Sequence, residues 1–174
     1  MKTILMDIDG ICFDPIERLN RCKNPDQSID WDRAFSNAEV IQDPMLPNAN
    51  AKVMLIIRLL TSKYQSIDIY YLYQSIDIYY LTGRSTQCRE ATLSALNTLN
   101  FMSAHYQTLL MRDLGDIRPD AIIKAEHIKR LTEDTIIAAV DDDYNGTLGP
   151  MYTEHKIPHY KSLDDYIKYL GEIL

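Results

Sequence analysis

Four short apolar runs constrain this chain more than any other feature: Thr3–Asp7, Ile76–Leu81, Thr108–Met111 and Ile136–Val140. Each is continuous rather than alternating, is rich in Ile, Val, Leu or Tyr, and ends in polar residues. A strand inside a parallel sheet is covered on both faces and reads this way, whereas a half-exposed strand alternates. Helical spacing fills the intervals at Ala51–Ser62, Thr86–Asn97 and Ala121–Leu131, and Leu163–Ile173 closes the chain. Ser85 or Thr86, and Asp120, suit N-caps. Strands alternating with helices predict an α/β fold, a Rossmann-like doubly wound parallel sheet. The 174 residues suit one such domain, spanning 1–174.

Two segments interrupt the alternation. Asp14–Asn50 holds Pro15, Pro25, Pro44 and Pro47 and the only tryptophan. It reads as a largely irregular excursion with one or two short helices, above the carboxyl end of the first strand. Open α/β sheets bind their ligands at that edge. The second interruption is a nonapeptide, YQSIDIYYL, present twice without a mismatch at Tyr64–Leu72 and Tyr73–Leu81. In one continuous strand an odd repeat would turn equivalent residues to opposite faces. Eighteen extended residues would also reach roughly 60 Å, far beyond an ordinary strand. The second copy, which runs straight into Thr82-Gly83-Arg84, is therefore expected in the sheet. The first copy is left as a prolonged helix end, a loop or a strand added elsewhere. A tandem duplication, natural or introduced, explains the repeat more simply than a functional one. An exposed IDIYYL would favour strand pairing between copies of the chain, so a homo-oligomer through the duplicated segment is one expectation.

The net charge of −7 argues against a broad basic face that coats nucleic acid, but not against grip on a single terminal phosphate. Cys12, Cys22 and Cys88 form no metal-ligand spacing, which favours a reducing, cytoplasmic setting. The N-terminal MKTILMDIDG meets two aspartates before any long apolar run, so neither a leader nor a membrane span is expected there.

Chemistry concentrates at strand ends. In ILMDIDGIC, Asp7 and Asp9 emerge together where the first strand stops, and Gly10 lets their directions diverge. Two such carboxylates repel unless a cation joins them or one keeps a proton, and magnesium suits hard oxygen ligands. Thr82-Gly83-Arg84-Ser85 offers a hydroxyl and free amides between a strand and a helix, a ready anion site. In GDIRPDAIIK, Lys124 follows Asp120 by one helical turn. In IIAAVDDDYNG, three acids stand at the end of a hydrophobic strand, which is costly without a bound cation. Each signal alone has a bland reading as a cap, a turn, a surface ion pair or a solvated loop.

In this order, and at these strand ends, the four motifs resemble the haloacid-dehalogenase-like phosphohydrolases over nearly the whole chain. DWDRAF, LTGRSTQCREAT, LLMRDLGDIRPDAIIK and AAVDDD further resemble the 3′-phosphatase domain of bacteriophage polynucleotide kinase and its stand-alone relatives. The resemblance implies the HAD-like form of the sheet, with a minimal cap inserted after the first strand. It implies Asp7 as nucleophile, forming an aspartyl-phosphate, and Asp9 as general acid and then base. Mg2+ would be held by Asp7, the Asp9 backbone carbonyl, Asp141 and Asp142. Thr82, the Gly83 amide and Lys124 would grip the phosphoryl oxygens, with Arg84 and Asp120 also at the site and Asp120 orienting Lys124 or Arg84. Arg18, Arg21 and Arg33 in the excursion are candidates for substrate contact, although scattered arginines are more often solvated.

The implied substrate is a phosphomonoester, with 3′-phosphorylated nucleic-acid ends first and nucleotides or sugar phosphates as the alternative. Two departures from the pattern stand out. Ile11 occupies the place where the superfamily usually has Thr, and the duplication directly precedes the strand ending at Thr82. They motivate a third reading, a degenerate, non-catalytic, self-associating module. No GxxxxGKS or GxxxxGKT loop is present, so a kinase activity is not supported.

Overall fold

The structure, a computed structural model, describes residues 2–63, 76–99, 109–131 and 135–173. Five strands, β1 (Lys2–Met6), β2 (Ile76–Ser85), β3 (Leu109–Arg112), β4 (Ile136–Val140) and β5 (His159–Tyr160), form one sheet in the order β3-β2-β1-β4-β5. Every pairing is parallel. The helices are α1 (Ile16–Arg21), α2 (Trp31–Ala34), α3 (Asn37–Val40), α4 (Ala49–Lys63), α5 (Arg89–Asn97), α6 (Asp120–Arg130), α7 (Leu148–Glu154) and α8 (Leu163–Ile173), with a 3-10 turn at Thr86–Cys88. This is the expected doubly wound α/β sheet.

Successive residues of the strands feed two separate cores. Ile4, Met6, Ile76, Ile78, Tyr80, Ala138 and Val140 pack with residues of α4, α5 and α8. Leu5, Leu81, Ile136 and Ala139 pack on the other face with residues of α6 and α7. This is the period-2 alternation of a strand buried on both sides, interrupted in β4 where a register shift against β1 puts Ile136 and Ala138 on opposite faces. Truncating one of the Ile, Leu or Met side chains among these to alanine should cost about 2–5 kcal/mol.

The elements depart from expectation where the apolar signal is short. β5 has only two residues and α7 contains Gly149 and Pro150, so neither announces itself. The excursion contains three short helices rather than one or two. Its end returns beside its start, with Phe13 bridging Met45 and Leu46 N donating to Cys12 O at 2.9 Å. Ser85 does act as a cap, accepting from Gln87 N. Asp120 is instead the first helical residue, behind Pro119. Pro lacks the N–H that a helix leaves unsatisfied there, so it starts the helix without a side-chain cap.

The second copy of the repeat enters the sheet as expected, with Ile76–Tyr80 in register with Lys2–Met6. The first copy, and with it the proposed basis for self-association, lies outside the described residues. Among the described residues no helix is long and apolar enough to cross a membrane.

Candidate active site

The strand order makes β1 the pivot: the chain leaves it for β2 on one side and later places β4 on the other. Ligand crevices of open α/β sheets lie at such a switch, beyond the strands' carboxyl ends. Asp7 follows β1 and Asp141 follows β4, and Asp7 N donates to Val140 O at 2.9 Å, so the two acids leave the sheet side by side. Ligand atoms of Asp7, Asp141 and Asp142 all lie within 4.8 Å of one another.

Lys124, buried on α6, reaches into this cluster, with Nζ 2.6 Å from Asp141 Oδ2 and 3.2 Å from Asp7 Oδ2. Tyr152 of α7 donates its hydroxyl to the same Asp141 oxygen at 2.9 Å. Asp143 N donates to Asp141 Oδ1 at 3.2 Å, and Ile8 N to Asp7 Oδ1 at 2.8 Å. The three consecutive acids therefore separate by task. Asp143 turns away and accepts from Leu148 N and Gly149 N, holding the start of α7.

Burial and neighbouring charge compete throughout the site. Burial pushes the Asp7 carboxyl well above the ordinary range against the pull of Lys124, and Asp141 and Asp9 add to the rise. Burial likewise raises Asp142, helped by the charge of Asp141. For Lys124 burial acts downward, but Asp7 and Asp141 outweigh it and hold the ammonium well above its usual value. One ammonium thus faces three crowded carboxylates. Hard oxygen donors converging in this way fit a divalent cation such as magnesium.

Gly10 makes room for the cluster. Its φ is +76°, and a Cβ there would lie 2.1 Å from Asp142 Oδ2. Ile11, where a hydroxyl was expected from the resemblance, is buried in the first core. It contributes packing in place of a hydrogen bond.

Asp9 stands apart from the three clustered acids. Its carboxylate, expected to serve as general acid and base while the backbone carbonyl reaches the metal, meets Arg18 Nη2 at 3.1 Å and Arg84 Nη2 at 2.5 Å. Burial alone would raise the Asp9 carboxyl, yet Arg84 and then Arg18 more than offset it and hold it below the ordinary range. Such a group rests as an anion, ready to accept a proton. Arg18 and Arg84 also share Asp43, so two arginines and two aspartates form one buried alternating network.

Thr82 is fully buried and accepts from Arg84 N at 3.2 Å. Asp120 lies over Gly83, its Oδ2 2.5 Å from where a Cβ would stand. Asp120 was expected to orient Lys124 or Arg84, but its carboxylate accepts from Arg112 Nη2. Arg112 in turn donates to the carbonyls of Gly83, Asp116 and Arg118, tying the end of β2 to the loop before α6. Arg21 and Arg33, offered as substrate contacts, pair with Glu39 at 2.9 and 3.3 Å.

The sequence reading missed Asp43, Arg112, Tyr152 and His159, whose Nε2 lies 2.8 Å from Asp141 O. Arg112 alone had a local signal, its place at the end of an apolar run.

Neither a family model nor a curated protein matches the sequence. Among solved structures, the chain is similar to one in the "Structure of the Pnkp1/Rnl/Hen1 RNA repair complex", at 24% identity and a TM-score of 0.58, covering 92% of this chain and 42% of that one. A second structure of the Pnkp1/Rnl/Hen1 complex matches at 23% identity and 0.58, covering 92% and 44%. The chain thus spans less than half the length of these relatives. A class C acid phosphatase from Bacillus anthracis with tungstate bound matches at 16% and 0.49, covering 99% and 78%. The chain shares the α/β fold of the repair-complex chains it matches, with five parallel strands in the order β3-β2-β1-β4-β5 and acids beyond β1 and β4, the arrangement that the haloacid-dehalogenase-like resemblance implies.

Proposed function

We propose that this chain is a magnesium-dependent phosphomonoesterase that works through an aspartyl-phosphate and removes 3′-phosphates from nucleic-acid ends. The observation that carries the reading is Lys124 set between Asp7 and Asp141, with Asp142 beside them at the switch point of the sheet. The likeness to chains of an RNA repair complex supports the choice of substrate.

Asp7 attacks the phosphorus in line and the ester oxygen departs, dividing hydrolysis into two easier steps. Lys124, the Thr82 hydroxyl and the Gly83 amide hold the phosphoryl oxygens, and their positive field is what phosphoryl transfer chiefly requires. Asp9 accepts a proton from the water that cleaves the aspartyl-phosphate. Serving as acid in the first step requires Asp9 to gain a proton beforehand, against the pull of Arg18 and Arg84. Asp7, Asp141 and Asp142 would hold the magnesium ion, with the Asp9 backbone carbonyl as a further ligand. Its chemistry there is to neutralise the carboxylates, so that Asp7 is ionised when it attacks, and to offset charge on the phosphoryl group.

A second reading, a phosphatase of nucleotides or sugar phosphates, is favoured by one observation. Arg18, Arg21, Arg33, Arg84, Arg112 and Arg118 each pair with a carboxylate, which leaves less positive charge for a nucleic-acid backbone. The test is to compare a 3′-phosphorylated oligonucleotide with free nucleotides, with magnesium and after chelation. Faster turnover of the oligonucleotide supports end repair; equal or faster turnover of mononucleotides removes that assignment. Asp7→Asn should abolish turnover with the fold intact, and an active variant would refute the nucleophile.

A further inference from the structure

The mechanism leaves one buried carboxylate without a task. Asp43, in the excursion just before Pro44, has a side chain only 1% exposed and both oxygens engaged. Arg18 Nε donates to Oδ1 at 3.0 Å, and Arg84 Nη2 to Oδ2 at 2.8 Å. The same guanidiniums also face Asp9. Arg18 Nη2 lies 3.1 Å from each Asp9 oxygen, and Arg84 Nε lies 3.1 and 3.2 Å from them. Arg18 Nη1 donates to Ala34 O at 2.9 Å, which fixes the plane of that guanidinium.

A guanidinium is rigid and planar, so holding one edge aims the other. Asp43 touches neither Asp9 nor any reacting group; it reaches Asp9 through two arginines that come from α1 and from the end of β2. Without Asp43, two buried cations would share a single carboxylate, and their present geometry would lose its support.

We propose that Asp43 is a positioning residue for Asp9, setting the direction of its carboxylate by clamping Arg18 and Arg84. The catalytic consequence rests on the reading of Asp9 as the proton-transfer group, whereas the clamp itself does not. This makes the excursion part of the catalytic apparatus as well as a cover over the sheet edge.

The experiment compares wild type, Asp43→Asn, Asp9→Asn and the double variant, using p-nitrophenyl phosphate at saturating magnesium. Asp43→Glu replaces Asp43→Asn if the latter does not fold. The Nε–H NMR resonances of Arg18 and Arg84 are recorded on the same proteins. Arg84 Nε donates to Asp9 and not to Asp43, so its resonance reports the remote effect.

The expected result is a shifted, faster-exchanging Arg84 Nε–H in Asp43→Asn and a fall in kcat of about tenfold or more. Competitive inhibition by inorganic phosphate should stay within about twofold of wild type, because Thr82, Gly83 and Lys124 are untouched. In the Asp9→Asn background the second substitution should cost nothing more. An unchanged Arg84 Nε–H overturns the proposal. So does an unchanged kcat, a parallel loss of kcat and phosphate inhibition, or an equal further loss in the Asp9→Asn background. If wild type hydrolyses no phosphomonoester, the proposed function fails, and the Arg84 resonance still decides whether Asp43 clamps.

Discussion

Replacing Gly10 by alanine tests the cluster with a single methyl group. The new Cβ would lie 2.1 Å from Asp142 Oδ2, 2.7 Å from its Cγ and 3.2 Å from its Cβ. Ordinary contact begins near 3.4 Å, so the carboxylate must retreat by about 1 Å or more. The backbone at φ +76° adds about 1–2 kcal/mol of left-handed strain. For a chain of this length that strain lowers Tm by about 2–8 °C. The clash falls on a side chain able to rotate, so the fold should survive while Asp142 leaves its place. A misplacement of about 1 Å in a catalytic constellation costs on the order of 100-fold in rate.

The assay is magnesium-dependent hydrolysis of p-nitrophenyl phosphate, with Tm measured in magnesium and after chelation. Gly10→Ala should raise the half-saturating magnesium concentration by about tenfold and lower kcat by about 100-fold. Gly115→Ala is the control: its φ is +78° and nothing lies within 4 Å of the new Cβ. It should lose comparable stability and leave the magnesium dependence alone. A Gly10→Ala protein with the wild-type magnesium curve and kcat would refute the assignment of Asp142 to the site.

Lys124→Met removes the only cation seen inside the cluster among the described residues, and should destabilise the cation-free protein by about 3–5 kcal/mol in urea unfolding. Added magnesium should recover more stability in this variant than in wild type. Burial pushes the Asp43 carboxyl up to about 6 despite Arg18 and Arg84, above the ordinary carboxylate value of 3.8. A raised acid gives stability that is full below its unfolded value and lost as pH rises through the folded one. Wild type should therefore lose up to about 3 kcal/mol relative to Asp43→Asn between about pH 4 and pH 6.5, read by denaturant unfolding across that window. Burial also pushes the Cys12 thiol up to about 12, so iodoacetamide at neutral pH should label it in urea and spare it in the native protein.

The fold was largely legible because buried parallel strands betray themselves as unbroken apolar runs, and β1, β2, β3 and β4 did so. β5 did not, since His159 and Tyr160 are too few to make a run and join the sheet only through β4. Asp7, Asp141 and Lys124 were legible from their places at strand ends and on a helix turn. The partners of Asp9 were not. Arg84 stands 75 positions further along the chain and Asp43 lies 25 beyond Arg18, and charge pairs over such separations are chosen by the fold. Arg18 and Asp120 show both sides of this. Each was noticed, and each bonds to a partner that the local sequence does not name.

The acids that meet beyond β1 and β4, Asp7 and Asp141, stand 134 positions apart in the chain, and this has a consequence for synthesis. A ribosome that has released Asp7, Thr82 and Lys124 into the folding chain has still not delivered the carboxylates that complete the centre. Until β4 slots in beside β1, the nascent protein has Asp7 without Asp141 and Asp142, so under the proposed function activity should appear only once β4 is in place, and all at once.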